Sequence, residues 1–88
     1  MVKAVWKYPF PVMDRFTLNM PFGAEVLSTA AQGDIPCLWA RVDPEAPLVF
    51  RKFVLVGTGP ARSDLGGRFI GTFQLMGGTL IYHLFEGN

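Results

Sequence analysis

Apolar and polar positions alternate most clearly in the last third of the chain, on both sides of Gly77-Gly78. The flanking segments 68–76 and 79–85 are rich in β-branched and aromatic residues, and a Gly-Gly pair supplies the positive φ angles that a two-residue primed turn needs. The pattern predicts a β-hairpin. One face of this hairpin is apolar and is expected to enter the core; it consists of Phe69, Gly71, Phe73, Leu75, Leu80, Tyr82 and Leu84.

The opposite face of this hairpin mixes apolar and polar side chains. Its cross-strand pairs would be Met76 with Thr79, Gln74 with Ile81, Thr72 with His83, and Ile70 with Phe85. Such a face suits neither a core nor a solvated surface, so we expect another surface to cover it. The candidate subunit interface on this face consists of Ile70, Ile81, His83 and Phe85.

Alternation also predicts three strands upstream of the hairpin. Residues 3–8 form a short strand that ends at Pro9 and Pro11, because proline cannot donate a ladder hydrogen bond. In residues 15–20 apolar and polar side chains alternate strictly, which is typical of a half-buried strand. Residues 49–56 are β-forming and apolar on both sides near their end, as in a central strand.

Residues 25–42 allow two interpretations. Apolar residues at positions 26, 27, 30 and 31 recur at helical spacing, and Gly33 could end a helix. Alternatively, Gly33-Asp34 forms a two-residue turn between a strand at 25–32 and another at 35–42. We favour the hairpin, because a segment of about nine residues without a good N-cap is short for a helix.

These elements define the fold class that we expect. Residues 43–47 and 57–67 contain the prolines and glycines of loops and have no periodic pattern. The chain is therefore predicted to be a single all-β domain over residues 1–88. It would contain about seven short, mostly antiparallel strands joined by hairpins, in a small sandwich or open barrel.

Composition adds expectations about partners and location. Half of the 88 residues are hydrophobic, and a small domain this apolar leaves hydrophobic atoms at its surface, which predicts a homo-oligomer. The net charge is +1 and the charges are scattered, which weighs against nucleic acid as the partner. The single cysteine, Cys37, cannot form an internal disulfide, and the sequence pattern contains no membrane span or signal peptide. We therefore expect a cytoplasmic protein.

The loop at 57–67 is the first candidate site, because long loops in compact domains often bind ligands. Its glycines match neither a P-loop nor a dinucleotide-binding fingerprint. In the candidate ligand site, Thr58, Gly59, Arg62 and Ser63 would hold a phosphate or carboxylate through hydroxyl, backbone and guanidinium groups. The alternative is a plain connection between two strands.

A second candidate lies on the predicted 35–42 strand. Trp39 and Arg41 share one of its faces, together with Val26 and Ser28 of the hairpin partner. Tryptophan and arginine are enriched at interface hot spots, and an arginine stacked on an aromatic ring can clamp a base. Arg41 is therefore a candidate ligand residue and Trp39 a candidate interface residue. The alternative places Trp39 in the core.

Trp6 and Tyr8 on the first strand could likewise be core or interface residues; they alternate with Lys3, Val5 and Lys7. This strand could lie against the body of the domain or pair with a partner subunit. Trp6 and Tyr8 are therefore candidate interface residues.

Catalytic chemistry has little support in the sequence. Cys37 and His83 are the only thiol and imidazole, each lies within a strand pattern, and no spacing indicates that they meet. A metal site needs three or four converging ligands. We expect no enzymatic activity, metal or cofactor.

Several segments resemble a known family. They are Val5-Trp6-Lys7-Tyr8, Pro36-Cys37-Leu38-Trp39-Ala40, Val42-Asp43-Pro44, Val56-Gly57-Thr58-Gly59, Ile70-Gly71-Thr72-Phe73-Gln74-Leu75, Gly77-Gly78 and His83-Leu84-Phe85-Glu86. Together they resemble a family of small proteins of unknown function found in bacteriophages, prophages and some bacteria. The resemblance implies a host cytoplasm and favours a strand at 28–32, and it carries no catalytic or binding residues.

These observations lead to a functional expectation. We expect a non-enzymatic phage or prophage accessory protein that acts by binding, in host takeover or counter-defence. It would block a host protein or sequester a small anionic, nucleotide-like ligand. The alternative is a minor structural or assembly component of the virion.

Overall fold

Seven β-strands make up the computed structural model, which describes residues 2–87. They form two antiparallel sheets, of order β1-β4-β3 and β2-β5-β7-β6, that pack into a small sandwich. The predicted all-β fold is confirmed. The strands are β1 (Ala4–Pro9), β2 (Arg15–Pro21), β3 (Glu25–Gln32), β4 (Ile35–Val42), β5 (Leu48–Gly57), β6 (Arg68–Leu75) and β7 (Leu80–Glu86), and a 3₁₀ turn spans Met76–Gly78.

The segment that allowed either a helix or a hairpin is a hairpin. Gly33 and Asp34 both have positive φ angles, of 57° and 63°, as a type I′ turn requires. Gln32 pairs with Ile35 across this turn. The Asp34 carboxylate also accepts a hydrogen bond from the backbone N–H of Met76 at 3.0 Å, which joins the tips of the two predicted hairpins.

The closing hairpin has the predicted register over most of its length, from the Leu75–Leu80 pair to the Gly71–Leu84 pair. A β-bulge then changes it, so that Phe69 instead of Ile70 pairs with Phe85. The predicted Ile70–Phe85 pair is wrong, because one extra residue turns every side chain before it to the other face. Ile70 packs against the core, whereas Phe69 is 54% exposed.

A second bulge, in β3, corrects the predicted surroundings of Trp39. The register shifts between Val26 and Ser28, so Val26 pairs with Ala40 and is buried, while Ser28 pairs with Trp39. Val26 therefore does not share a face with Ser28, contrary to the prediction. Trp39 is half-buried between Ser28 of β3 and Lys7 of β1.

Four phenylalanines form the centre of the core between the sheets. Phe10 stacks on Phe16 with ring centroids 4.7 Å apart, and Phe16 stacks on Phe53 at 5.5 Å. Phe10 also meets the edge of Phe73 at 6.0 Å. Because Phe10 lies in the connection between β1 and β2, its burial ties the smaller sheet to the larger one.

The sheets also meet side by side along one edge. A guanidinium N–H of Arg68 on β6 donates to the Val26 carbonyl of β3 at 3.2 Å. Gly71 permits this approach, since a Cβ there would lie 2.9 Å from the Thr29 methyl group. At the other side of the sandwich, β1 and β2 are the terminal strands of their sheets.

Gly67→Ala should destabilise the protein strongly. A Cβ at Gly67 would lie 1.8 Å from the Glu86 carbonyl oxygen, so the backbone of β7 would have to move. We expect a loss of about 2 kcal/mol or more in the free energy of unfolding, measured by urea denaturation. Gly57→Ala is the control, since its Cβ would meet the nearest atom at 3.8 Å. Equal losses in both variants would contradict the packing described.

Candidate functional site

The loop at 58–67 covers the outer face of the four-stranded sheet, the face turned away from the core. Phe53 and Leu55 of β5 point into the core, and the intervening Val54 and Val56 point the opposite way because successive strand residues alternate. Val54 and Val56 are nevertheless buried. The loop lies beside both valines: Ser63 and Asp64 border the same depression as Val54, and Pro60 and Leu65 border that of Val56. This face is therefore partly enclosed.

An ionic contact at Asp64 fixes the middle of the loop. Arg62 donates to both carboxylate oxygens of Asp64, at 2.9 and 2.6 Å. The Nε atom of Arg15 on β2 donates to Asp64 Oδ2 at 3.1 Å, and its Nη2 atom lies 3.0 Å from the same oxygen. The hydrogen bond from Arg62 is the main cause that lowers the pKa of Asp64 to about 2. Arg62 also lies 3.7 Å from Asp14. The predicted ligand residue Arg62 therefore anchors the loop.

The start of the loop is fixed by the only histidine. The Nε2 atom of His83 lies 2.7 Å from the Thr58 hydroxyl, and its Nδ1 atom lies 2.8 Å from the Thr72 hydroxyl. The hairpin face predicted to be covered by another copy is thus partly covered by the same chain's loop. The candidate ligand loop and the candidate interface face of the hairpin, which the sequence analysis treated as separate sites, meet at this histidine.

A small cleft of about 220 Å³ opens beside His83. The rings of Phe69 and Phe85 pack edge to face within it, with centroids 5.4 Å apart. The predicted ligand residues Thr58 and Gly59 line this cleft together with the predicted interface residues His83 and Phe85. Ile81 lies outside it, on the neighbouring part of β7, and is exposed.

A larger groove, of about 530 Å³, opens beside the second half of the loop. It contains two cationic side chains, Arg15 and Lys52, and the hydroxyls of Thr17 and Ser63. Of these, sequence reasoning identified only Ser63. The full lining is Arg15, Phe16, Thr17, Lys52, Phe53, Val54, Ser63, Asp64, Gly66 and Gly87.

The charge that this groove presents to a ligand is mainly positive. The Asp64 carboxylate is held between two arginines. Arg15 uses its Nε and Nη2 atoms for Asp64, and its side chain is still 71% exposed, so the remaining N–H groups of its guanidinium face water. Lys52 is exposed on the adjacent strand. A phosphate or carboxylate could accept hydrogen bonds from these groups.

The remaining predicted residues lie on the three-stranded sheet or its edge, away from this groove. Arg41 pairs with Glu25, and that hydrogen bond lowers the pKa of Glu25. Trp6 and Tyr8 of β1 pair with Ala40 and Leu38 of β4. Tyr8 packs against the core, whereas Trp6 is 39% exposed. Burial raises the pKa of Tyr8, whose hydroxyl has no hydrogen-bond partner within residues 2–87.

Cys37 and His83 lie in different sheets. The buried Cys37 thiol donates to the Ile35 carbonyl of its own strand at 3.4 Å, and both nitrogens of His83 contact threonines. Over residues 2–87, no three metal-binding side chains come together. The same part of the chain contains no helix of the length and apolarity that crossing a bilayer requires.

Acid should weaken the loop anchor. Because the pKa of Asp64 falls from 3.8 to about 2 in the folded protein, its contribution to stability is complete above about pH 4 and is lost as the pH falls towards 2. Asp64→Asn should remove this part of the pH dependence, measured as urea midpoints between these two pH values. Glu45→Gln, at an exposed loop carboxylate, is the control and should retain the slope. An unchanged slope in Asp64→Asn would contradict the anchor.

Comparison with known proteins gives one family match. No curated protein and no solved structure matches the chain. The family model described as Domain of unknown function (DUF7352) matches residues 1–88. The chain therefore belongs to the DUF7352 family.

Proposed function

We propose that this protein acts by binding, and that the groove beside loop 58–67 takes a small anionic ligand of the nucleotide or phosphate class. The observation that carries this proposal is the juxtaposition of Arg15, Lys52 and Ser63 around a groove of about 530 Å³. That volume lies in the range of small-molecule sites. The groove also has an apolar part at Val54, which faces the groove side of the sheet and against which a flat ring could pack.

The groove contains groups that can bind an anion, but it places no base beside its serine. Ser63 lies in the groove, whereas the one histidine of the chain contacts Thr58 and Thr72 beside the smaller cleft. A serine becomes a nucleophile when a neighbouring base accepts its proton. Lys52 and Arg15 instead provide fixed positive charge, which favours holding an anion. This arrangement supports sequestration of a ligand over its conversion.

The biological setting in this proposal is a phage or prophage accessory protein that interferes with host signalling or defence. It rests on the resemblance of the quoted segments to small phage and prophage proteins. A binding protein that removes a signalling nucleotide would fit the cationic groove.

Ligand binding should depend on Lys52. We expect phosphate-bearing ligands, from inorganic phosphate to nucleoside mono- and diphosphates and cyclic dinucleotides, to raise the melting temperature at constant ionic strength. Lys52→Glu should weaken the affinity for the best of these ligands about tenfold or more by calorimetry, because it reverses one of the two groove cations. Lys3→Glu makes the same charge change away from the groove and should keep the affinity.

A second measurement looks for a ligand that co-purifies. The protein is denatured after purification and the supernatant is analysed by mass spectrometry, with Lys52→Glu prepared in parallel. We expect an anionic small molecule in the wild-type sample and its loss from the variant. No released ligand together with no thermal shift across the panel would contradict the proposal.

A second candidate function, blocking a host protein, is favoured by one further observation. Phe22, Leu48 and Phe50 are 67, 59 and 76% exposed and lie at the same end of the β2–β5 pair. Large aromatic side chains at a surface are typical anchors of protein interfaces. Phe50→Ser should abolish capture of such a partner and leave ligand affinity unchanged, because Phe50 does not line the groove.

A further inference from the structure

The outer edge of β2 (Arg15–Pro21) is a free sheet edge within residues 2–87, where β2 pairs with β5 alone. Two hydrogen bonds show which peptide groups of β2 face β5. Leu55 donates to the Asp14 carbonyl at 2.9 Å, and Phe22 donates to the Pro47 carbonyl at 2.7 Å. In an antiparallel pair, alternate residues turn their N–H and C=O groups to the same neighbour. The groups of residues 15, 17 and 19 therefore point to the open edge.

The other free edge, on β1, differs in its residues. Phe10 donates to the Pro36 carbonyl at 2.9 Å, so the peptide groups of residues 3, 5, 7 and 9 point away from β4. Lys3 and Lys7 occupy two of these positions, and Pro9 has no N–H to offer. Lysine and proline are common devices that prevent a sheet edge from pairing. The β2 edge contains neither between residues 15 and 20.

We propose that two copies of this chain pair through their β2 edges in an antiparallel arrangement, with Thr17 opposite the partner's Thr17. This register places Arg15 opposite the partner's Asn19, so residues 15, 17 and 19 all find a partner and form about six backbone hydrogen bonds. Moving the twofold axis to Leu18 would give as many bonds, but it would place Pro21, which has no N–H, opposite the partner's Arg15 and leave the Arg15 carbonyl without a donor. The pairing at Thr17 instead satisfies both peptide groups of residues 15, 17 and 19.

The side chains agree with this register. On the outer face, Thr17 meets its own copy, a favourable cross-strand pair, and Arg15 meets an uncharged asparagine instead of a second arginine. On the inner face, Phe16 lies opposite the partner's Leu18, and Leu18 is half-buried in the single chain. The two four-stranded sheets would become one continuous sheet with the two β2 strands at its centre.

The dimer goes beyond the proposed function and does not depend on it. Arg15 and Thr17 also line the groove, so the pairing would bring the two grooves to either side of the twofold axis. The partner's Asn19 would then lie beside the Arg15 that borders each groove. Dimerisation is measured without any ligand, which separates its failure from that of the binding proposal.

Thr17→Pro tests the edge, because it removes an N–H that points away from β5 and costs no bond to β5. We expect the wild type to be a dimer by light scattering and sedimentation, and Thr17→Pro to be a folded monomer by circular dichroism. Val5→Pro makes the same change on the edge of β1 and should remain dimeric. A monomeric wild type, or dissociation by Val5→Pro in place of Thr17→Pro, would overturn the proposal.

A charge pair tests the register. Thr17→Lys places two lysines opposite each other at the axis and should dissociate the dimer, and the exposed position tolerates either charge. Mixing Thr17→Lys with Thr17→Glu should give heterodimers in native mass spectrometry, because opposite charges then meet. A Thr17→Lys protein that stays dimeric, or a mixture without heterodimers, would overturn the pairing at Thr17.

Discussion

The contact of Asp64 with Arg62 and Arg15 determines the shape of the outer surface of the larger sheet. It holds the middle of a long loop against the sheet, although Asp64 and Arg15 are 49 residues apart in sequence. The loop in turn covers Val54 and Val56, and its two sides form the walls of the groove and of the cleft beside His83. Without this anchor, Val54 and Val56 would be open to water, and the groove and the cleft would each lose the wall that the loop forms.

The core supports this arrangement from the opposite face. The stacked rings of Phe10, Phe16 and Phe53 hold β2 and β5 in place, and these two strands carry the groove cations Arg15 and Lys52 on their outward-facing positions. Alternation along β2 and β5 thus places Phe16 and Phe53 on the inner face and the two groove cations on the outer face. A rigid floor below a loop fixed by ion pairs is preorganised, so the binding of the proposed ligand would order few additional groups.

Sequence patterns predicted the strands well, because alternation and the turn residues at Gly33-Asp34 and Gly77-Gly78 are local properties. The two bulges were not predicted, since an inserted residue leaves the composition of a strand unchanged while it turns Phe69 outward and separates Val26 from Ser28. The site was predicted only in part. Arg62 and Ser63 were identified in the loop, but Arg15 and Lys52 had the appearance of ordinary solvated strand positions, and Asp64, the partner of Arg15, is distant from it in sequence.

Amide hydrogen exchange on the wild type and on Asp64→Asn tests the central role of this anchor most directly. In the variant, the account predicts faster exchange in residues 58–67 and at Val54 and Val56 of β5, beside the loop. The sheet β1-β4-β3 should keep its protection, because the phenylalanine core is unchanged. Unchanged exchange in the loop of Asp64→Asn would contradict the claim that the ion pairs hold it, and so would a uniform rise across both sheets.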